Sequence, residues 1–73
     1  MSRNVDFSNV KMQVQFDNSR DLIRIGELLG SATINNNDGN LHDSLVELGW
    51  IKIYIEGIYK RTEQLAKQDG ERK

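Results

Sequence analysis

The chain has no cysteine, and its only histidine is His42. Disulfides and zinc–thiolate sites are therefore excluded. A lone histidine does not anchor a first-row metal site, so neither metal nor cofactor is expected. Charge of one sign is also missing. Ten Lys and Arg stand against eleven Asp and Glu, a net charge of −1, with a sequence pI of 5.7. Nucleic-acid-binding domains are usually basic, often with a pI above about 9. The balance argues against strong non-specific DNA binding, and it is too small for a protein that mimics DNA with an acidic surface. No apolar run approaches the ~18 residues of a membrane span. The N-terminus has no apolar segment of the signal-peptide kind, and a cytoplasmic protein is expected. There is no proline, no internal repeat and no visible domain boundary.

What is present is 73 residues, enough for one small domain spanning 1–73. A chain of this size buries only about 60% of its unfolded surface. Without disulfides or a metal, its stability must come from helix packing or from oligomerisation.

The strongest pattern runs from Leu41 to about Lys67 and predicts a long helix. At 100° per residue, Leu48, Ile51, Ile55, Ile58 and Leu65 form one apolar stripe. Val46, Trp50 and Ile53 form a second, and Tyr54 bridges the two. Together they cover about 220° of the helix surface, against the ~100° that suffices for a helix lying on a core. With Thr62, the first stripe recurs at 3,4 spacing as a heptad-like seam. Only Lys52, Glu56, Lys60 and Glu63 make up the polar stripe. Gly49 and Gly57 share the second apolar face, which suggests that another backbone comes close there. A helix needing cover on two sides, in a chain with little else to cover it, points to a second copy. Leu48, Trp50, Ile51, Ile53, Tyr54, Ile55, Ile58 and Leu65 are thus the candidate oligomer interface or core. Aromatic residues such as Trp50 and Tyr54 also dominate interface energetics.

The N-terminal half reads differently. Residues 1–9 are mostly polar and read as a flexible arm. From Val10 to Phe16, apolar Val10, Met12, Val14 and Phe16 alternate with Lys11, Gln13 and Gln15, the period of a half-buried strand. Asp17, Asn18 and Ser19 are good helix N-caps. A short helix is expected over 20–29, with Leu22, Ile25, Leu28 and Leu29 on one side. Gly26 lies inside it, at a cost of about 1 kcal/mol relative to alanine, which suggests close packing by a neighbouring element. Gly30 is placed to end it. Residues 31–40, with three consecutive asparagines and Asp38-Gly39-Asn40, read as a loop. Ten residues exceed the usual 2–8 between bundle helices. Residues 68–73 read as a frayed, charged tail. The expected fold class is therefore mainly α with one N-terminal β-strand, in the order β-α-α, around a dimeric helical core.

No catalytic constellation emerges. His42 and Ser44 are two apart, so on a helix they point about 200° from each other. Asp38, Asp43 and Glu47 gather near the start of the long helix, where acids complement the helix dipole. Gly26-Glu27-Leu28-Leu29-Gly30 is interrupted by apolar residues and is no phosphate cradle.

Strand, helix, helix in a dimer resembles the ribbon-helix-helix family of repressors, from Val10 to about Tyr59. The resemblance implies two strands paired antiparallel, one from each copy. Lys11, Gln13 and Gln15 would then read base edges in the major groove, while Val10, Met12, Val14 and Phe16 face the core. The chain departs from the family in its ten-residue loop and in Asp38 and Asp43, which stand where the family holds a DNA phosphate.

The function expected first is a small non-enzymatic regulator that is a homodimer or higher oligomer. It would bind another protein as inhibitor or adaptor, in the manner of small phage- or plasmid-encoded regulators. The repressor reading, with nucleic acid as partner, is the alternative. A third is a small-ligand site between subunits, lined by Arg20, Arg24 and the asparagine loop.

Overall fold

A computed structural model describes residues 3–71, with side chains described for residues 8–70. They form two helices: α1, Arg3–Asn37, and α2, Leu41–Glu71. The helices pack antiparallel as a hairpin measuring 55 × 17 × 14 Å. A 35-residue helix rising 1.5 Å per residue spans about 52 Å, so α1 runs the full length.

The predicted β-strand over 10–16 is overturned: no strand occurs among the described residues, and Val10 to Phe16 is helical. Alternation of four apolar residues also satisfies a helix, because Val10 and Val14 stack at i, i+4, and so do Met12 and Phe16. A strand would need a ladder partner for its backbone, whereas a helix satisfies it locally. The fold class is therefore all-α. The ribbon of the repressor reading does not exist, and Lys11 and Gln15 lie on one side of α1 with Gln13 on another. Gln13 instead donates to Asp17 at 3.1 Å.

The short helix expected over 20–29 is the middle of α1. The arm is helical from Arg3, and Met1 and Ser2 lie outside the described residues. Asp17, Asn18 and Ser19 cap nothing, and Gly30 ends nothing. The loop expected over 31–40 shrinks to Asp38, Gly39 and Asn40. Asn35, Asn36 and Asn37 are poor helix formers, yet they form the last turn of α1 because its end is closed well. The Asn40 N–H donates to the Asn35 carbonyl at 2.8 Å, and the Gly39 N–H to that of Asn36 at 3.2 Å. This is a Schellman cap, which needs a left-handed residue at the position Gly39 fills with φ +79°. The Ser44 N–H then donates to the Asn40 carbonyl at 3.0 Å and opens α2. The long helix expected over 41–67 does begin at Leu41. It continues through the predicted frayed tail to Glu71, and residues 72–73 lie outside the described residues.

One seam joins the helices. On α1 it follows Val14, Asn18, Asp21, Ile25, Leu28, Ala32 and Asn35; on α2 it follows Ser44, Glu47, Ile51, Tyr54, Ile58, Arg61 and Leu65. Spacing alternates between three and four on both, the repeat of a left-handed coiled coil. Its middle is apolar: Ile25, Leu28 and Ile51 are buried, with Tyr54 and Ile58 packed against them. Ala32 and Ser44 are buried toward the turn.

Polar contacts fix the register at both ends of this apolar centre. Arg61 Nε donates to Asn18 Oδ1 at 3.0 Å, and Arg61 Nη2 to Asp21 Oδ2 at 2.7 Å. Asn18 Nδ2 donates to Thr62 Oγ1 at 3.0 Å. Toward the turn, Asn35 Nδ2 donates to Glu47 Oε1 at 2.8 Å, and the Ser31 hydroxyl donates to the other Glu47 oxygen. Sliding one helix past the other would unpair half-buried polar groups, each worth about 1–3 kcal/mol.

Candidate interaction surface

The hairpin buries few of its large apolar side chains. Fifteen among the described residues are 46–69% exposed, from Val10 to Tyr59. The accessible surface is 5881 Å², against about 4,600 Å² for a compact folded protein of 8.4 kDa. The helix repeat gathers most of those on α2, together with Leu22 and Leu29 of α1, into two flanks beside the seam.

One flank of α2 carries Leu41, Leu45, Leu48, Ile55 and Tyr59, again at three–four spacing, with Lys52 at the one position between Leu48 and Ile55. A cleft of about 520 Å³ is lined by Leu48, Ile51, Lys52, Ile55, Glu56 and Tyr59. A second cleft continues it onto α1, lined by Leu22 together with Ile55, Ile58, Tyr59 and Thr62. Ile55 and Tyr59 belong to both, so the surface runs unbroken across the two helices.

The opposite flank carries Val46, Trp50 and Ile53. The rings of Trp50 and Tyr54 lie 6.4 Å apart at 39°, and with Arg24 and Leu28 they line a small cleft. Arg24 Nη1 donates to Glu27 Oε1 at 2.9 Å. Glu27 first, and Tyr54 second, raise the Arg24 pKa above its ordinary value. This flank thus combines two aromatic rings with a guanidinium that stays charged. A third group, Met12, Phe16 and Ile23, lies exposed on α1.

The two stripes expected on the long helix divide among these surfaces. Ile51, Tyr54, Ile58 and Leu65 lie in the seam; Leu48 and Ile55 flank it on one side, Trp50 and Ile53 on the other. Of the heptad-like seam expected through Leu48, Ile51, Ile55, Ile58, Thr62 and Leu65, the residues Ile51, Ile58 and Leu65 thus lie in the actual seam, and Leu48, Ile55 and Thr62 lie beside it. The close backbone approach expected at Gly26, Gly49 and Gly57 does not occur within the hairpin. A Cβ at Gly26 or Gly49 would meet nothing within 4 Å, and one at Gly57 would meet the Arg61 guanidinium at 3.3 Å. The apolar exposure of α1 at Leu22, Leu29, Met12 and Phe16 was missed. So were the polar seam residues Asn18, Asp21 and Arg61, although the three–four spacing of Asn18, Asp21, Ile25, Leu28, Ala32 and Asn35 carried the signal.

Chemistry-bearing side chains do not converge. His42 is exposed near the turn and Ser44 is buried in the seam. Among the described residues, no three acidic or histidine side chains gather where a metal ion could sit. Arg20 and Arg24 pair with Asp17 and Glu27 on their own helix, and Asn35, Asn36 and Asn37 form its last turn. Among the described residues no helix is long and apolar enough to cross a membrane. No protein-family model, no curated protein and no solved structure matches the chain.

Proposed function

We propose that this protein is a non-enzymatic, homo-oligomeric regulator that acts by binding another protein, as an inhibitor or adaptor. One observation carries the reading: an isolated hairpin leaves two apolar flanks wet on either side of a thin seam. Contiguous apolar surface of this extent marks interaction sites on soluble proteins. One flank suits assembly of identical copies. The other, with Trp50, Tyr54 and Arg24, has the aromatic and arginine chemistry of binding hot spots.

The test is purification of the tagged chain from its native cells, with the mass of every complex measured. A second protein held at constant ratio, and lost with Trp50→Ala while the helices remain, is the expected result. Recovery of the chain with no other protein, at full yield and in its folded form, would refute the binding role.

A further inference from the structure

We propose that the flank formed by Leu45, Leu48, Ile55 and Tyr59 of α2 with Leu22 and Leu29 of α1 receives the same flank of a second copy. The product is a two-fold symmetric, antiparallel bundle of four helices. The inference rests on the homo-oligomer reading above and adds which surface joins the copies.

Three features commit this surface to a second copy. The first is its repeat. Leu41, Leu45, Leu48, Lys52, Ile55, Tyr59 and Thr62 follow the same three–four spacing as the seam inside the hairpin. A helix with two adjacent stripes of one period accepts two neighbours at the same crossing angle, as helices in a four-helix bundle do. The flank also continues onto α1 through the shared positions Ile55 and Tyr59. A single docked helix would cover part of it, whereas a second hairpin matches both its width and its length.

The second feature is charge. Lys52 is the one charge inside the stripe, and Glu56 lies one turn along, on the rim of the same cleft. Two-fold pairing of α2 on this flank, about an axis level with the midpoint between positions 53 and 54, sets Leu48 against the partner's Tyr59. It brings Lys52 beside the partner's Ile55 and within a turn of the partner's Glu56. The surface thus supplies both a charge and its complement, which an isologous contact requires.

The third feature is area. The excess surface over a compact protein of this mass is about 1,300 Å² per copy. A standard isologous contact covers about 800 Å² per partner, so one such contact fits within that excess.

The test compares Tyr59→Glu with Ile53→Glu. The two side chains are similarly exposed in the hairpin, 65% and 60%, but lie on opposite flanks. Wild type should have twice the chain mass by light scattering. Tyr59→Glu should weaken association at least a hundredfold at unchanged helix content, and Ile53→Glu should leave the mass doubled. If Ile53→Glu dissociates the assembly and Tyr59→Glu does not, the surface is wrongly assigned while the homo-oligomer reading stands. If wild type is a single chain at every concentration, both fall.

Because the chain has no cysteine, cross-linking gives an answer that does not depend on the glutamate variants folding. Lys52→Cys should be joined into a covalent dimer by a short bifunctional maleimide, and Lys60→Cys should not. The reverse pattern, or no joining of Lys52→Cys, overturns the proposal.

Discussion

Replacing Arg61 by methionine keeps the length of the side chain and removes its charge, so the consequences fall on Asp21 and Asn18. The Arg61 side chain is 34% exposed and that of Asp21 17%, linked at 2.7 Å. Breaking a fully buried ion pair from one side costs about 3–5 kcal/mol, because the other charge is stranded. Here a third of the guanidinium reaches water, which screens the pair, and about 2 kcal/mol is the expected loss. For a domain of this size each kcal/mol moves the melting temperature by about 4–8 °C, so Arg61→Met should melt about 8–16 °C below wild type. The double variant Asp21→Leu, Arg61→Met strands no charge and should recover most of the loss, since well-packed apolar replacements of buried pairs are often neutral. The assay is thermal unfolding by circular dichroism for wild type, both single variants and the double variant, all at one chain concentration. A shift under about 3 °C for Arg61→Met, or a double variant no better than the sum of the singles, would refute the assignment of this pair as the lock on the hairpin register.

Three further variants probe other parts of the hairpin. Gly39→Ala should destabilise by about 1–2 kcal/mol, because φ of +79° forces an alanine into the left-handed region; Gly26→Ala, with nothing near its new methyl group, should stabilise by about 1 kcal/mol in the same unfolding assay. Ile51→Ala empties the centre of the seam and should cost about 2–5 kcal/mol in urea unfolding. Lys60→Ala removes an exposed charge and should change stability by under about 0.5 kcal/mol.

The second helix was legible in the sequence and most of the first was not, for reasons that differ by segment. Leu41 opens α2 as expected because Asp38-Gly39-Asn40 is a turn signal that depends only on neighbours. The excess of apolar surface on α2 was legible too, since helical periodicity over 27 positions is hard to mistake. The strand misreading arose because four alternating apolar residues fit both periods over so short a window. What decides between them is the supply of backbone partners, and no segment of the chain offered a convincing one. Asp17, Asn18 and Ser19 looked like caps because cap preferences are local. Asn18 is instead held by Arg61, 43 residues away, a contact that no local pattern contains. The three asparagines disfavour helix individually, and the Schellman cap together with Glu47 overrides them. The length of the supposed loop was the one warning, since ten structureless residues are more than two packed helices need.

The exposed surface on α1 has the same origin. Leu22 and Leu29 were grouped with Ile25 and Leu28 as one buried side of a short helix. In the hairpin, Ile25 and Leu28 occupy the seam, while Leu22 and Leu29 are exposed beside it. A face wide enough for one neighbour is thus two narrower faces, and the second of them has no cover within the chain. That division of apolar surface leads from the fold to the proposal of assembly.

The most direct test of that proposal is the mass of the wild-type chain in solution, measured by light scattering over a wide concentration range. The expected result is an assembly of at least two chains of 8.4 kDa, persisting on dilution to low micromolar concentration. A well-folded single chain at every concentration, with its helix content intact, would contradict it.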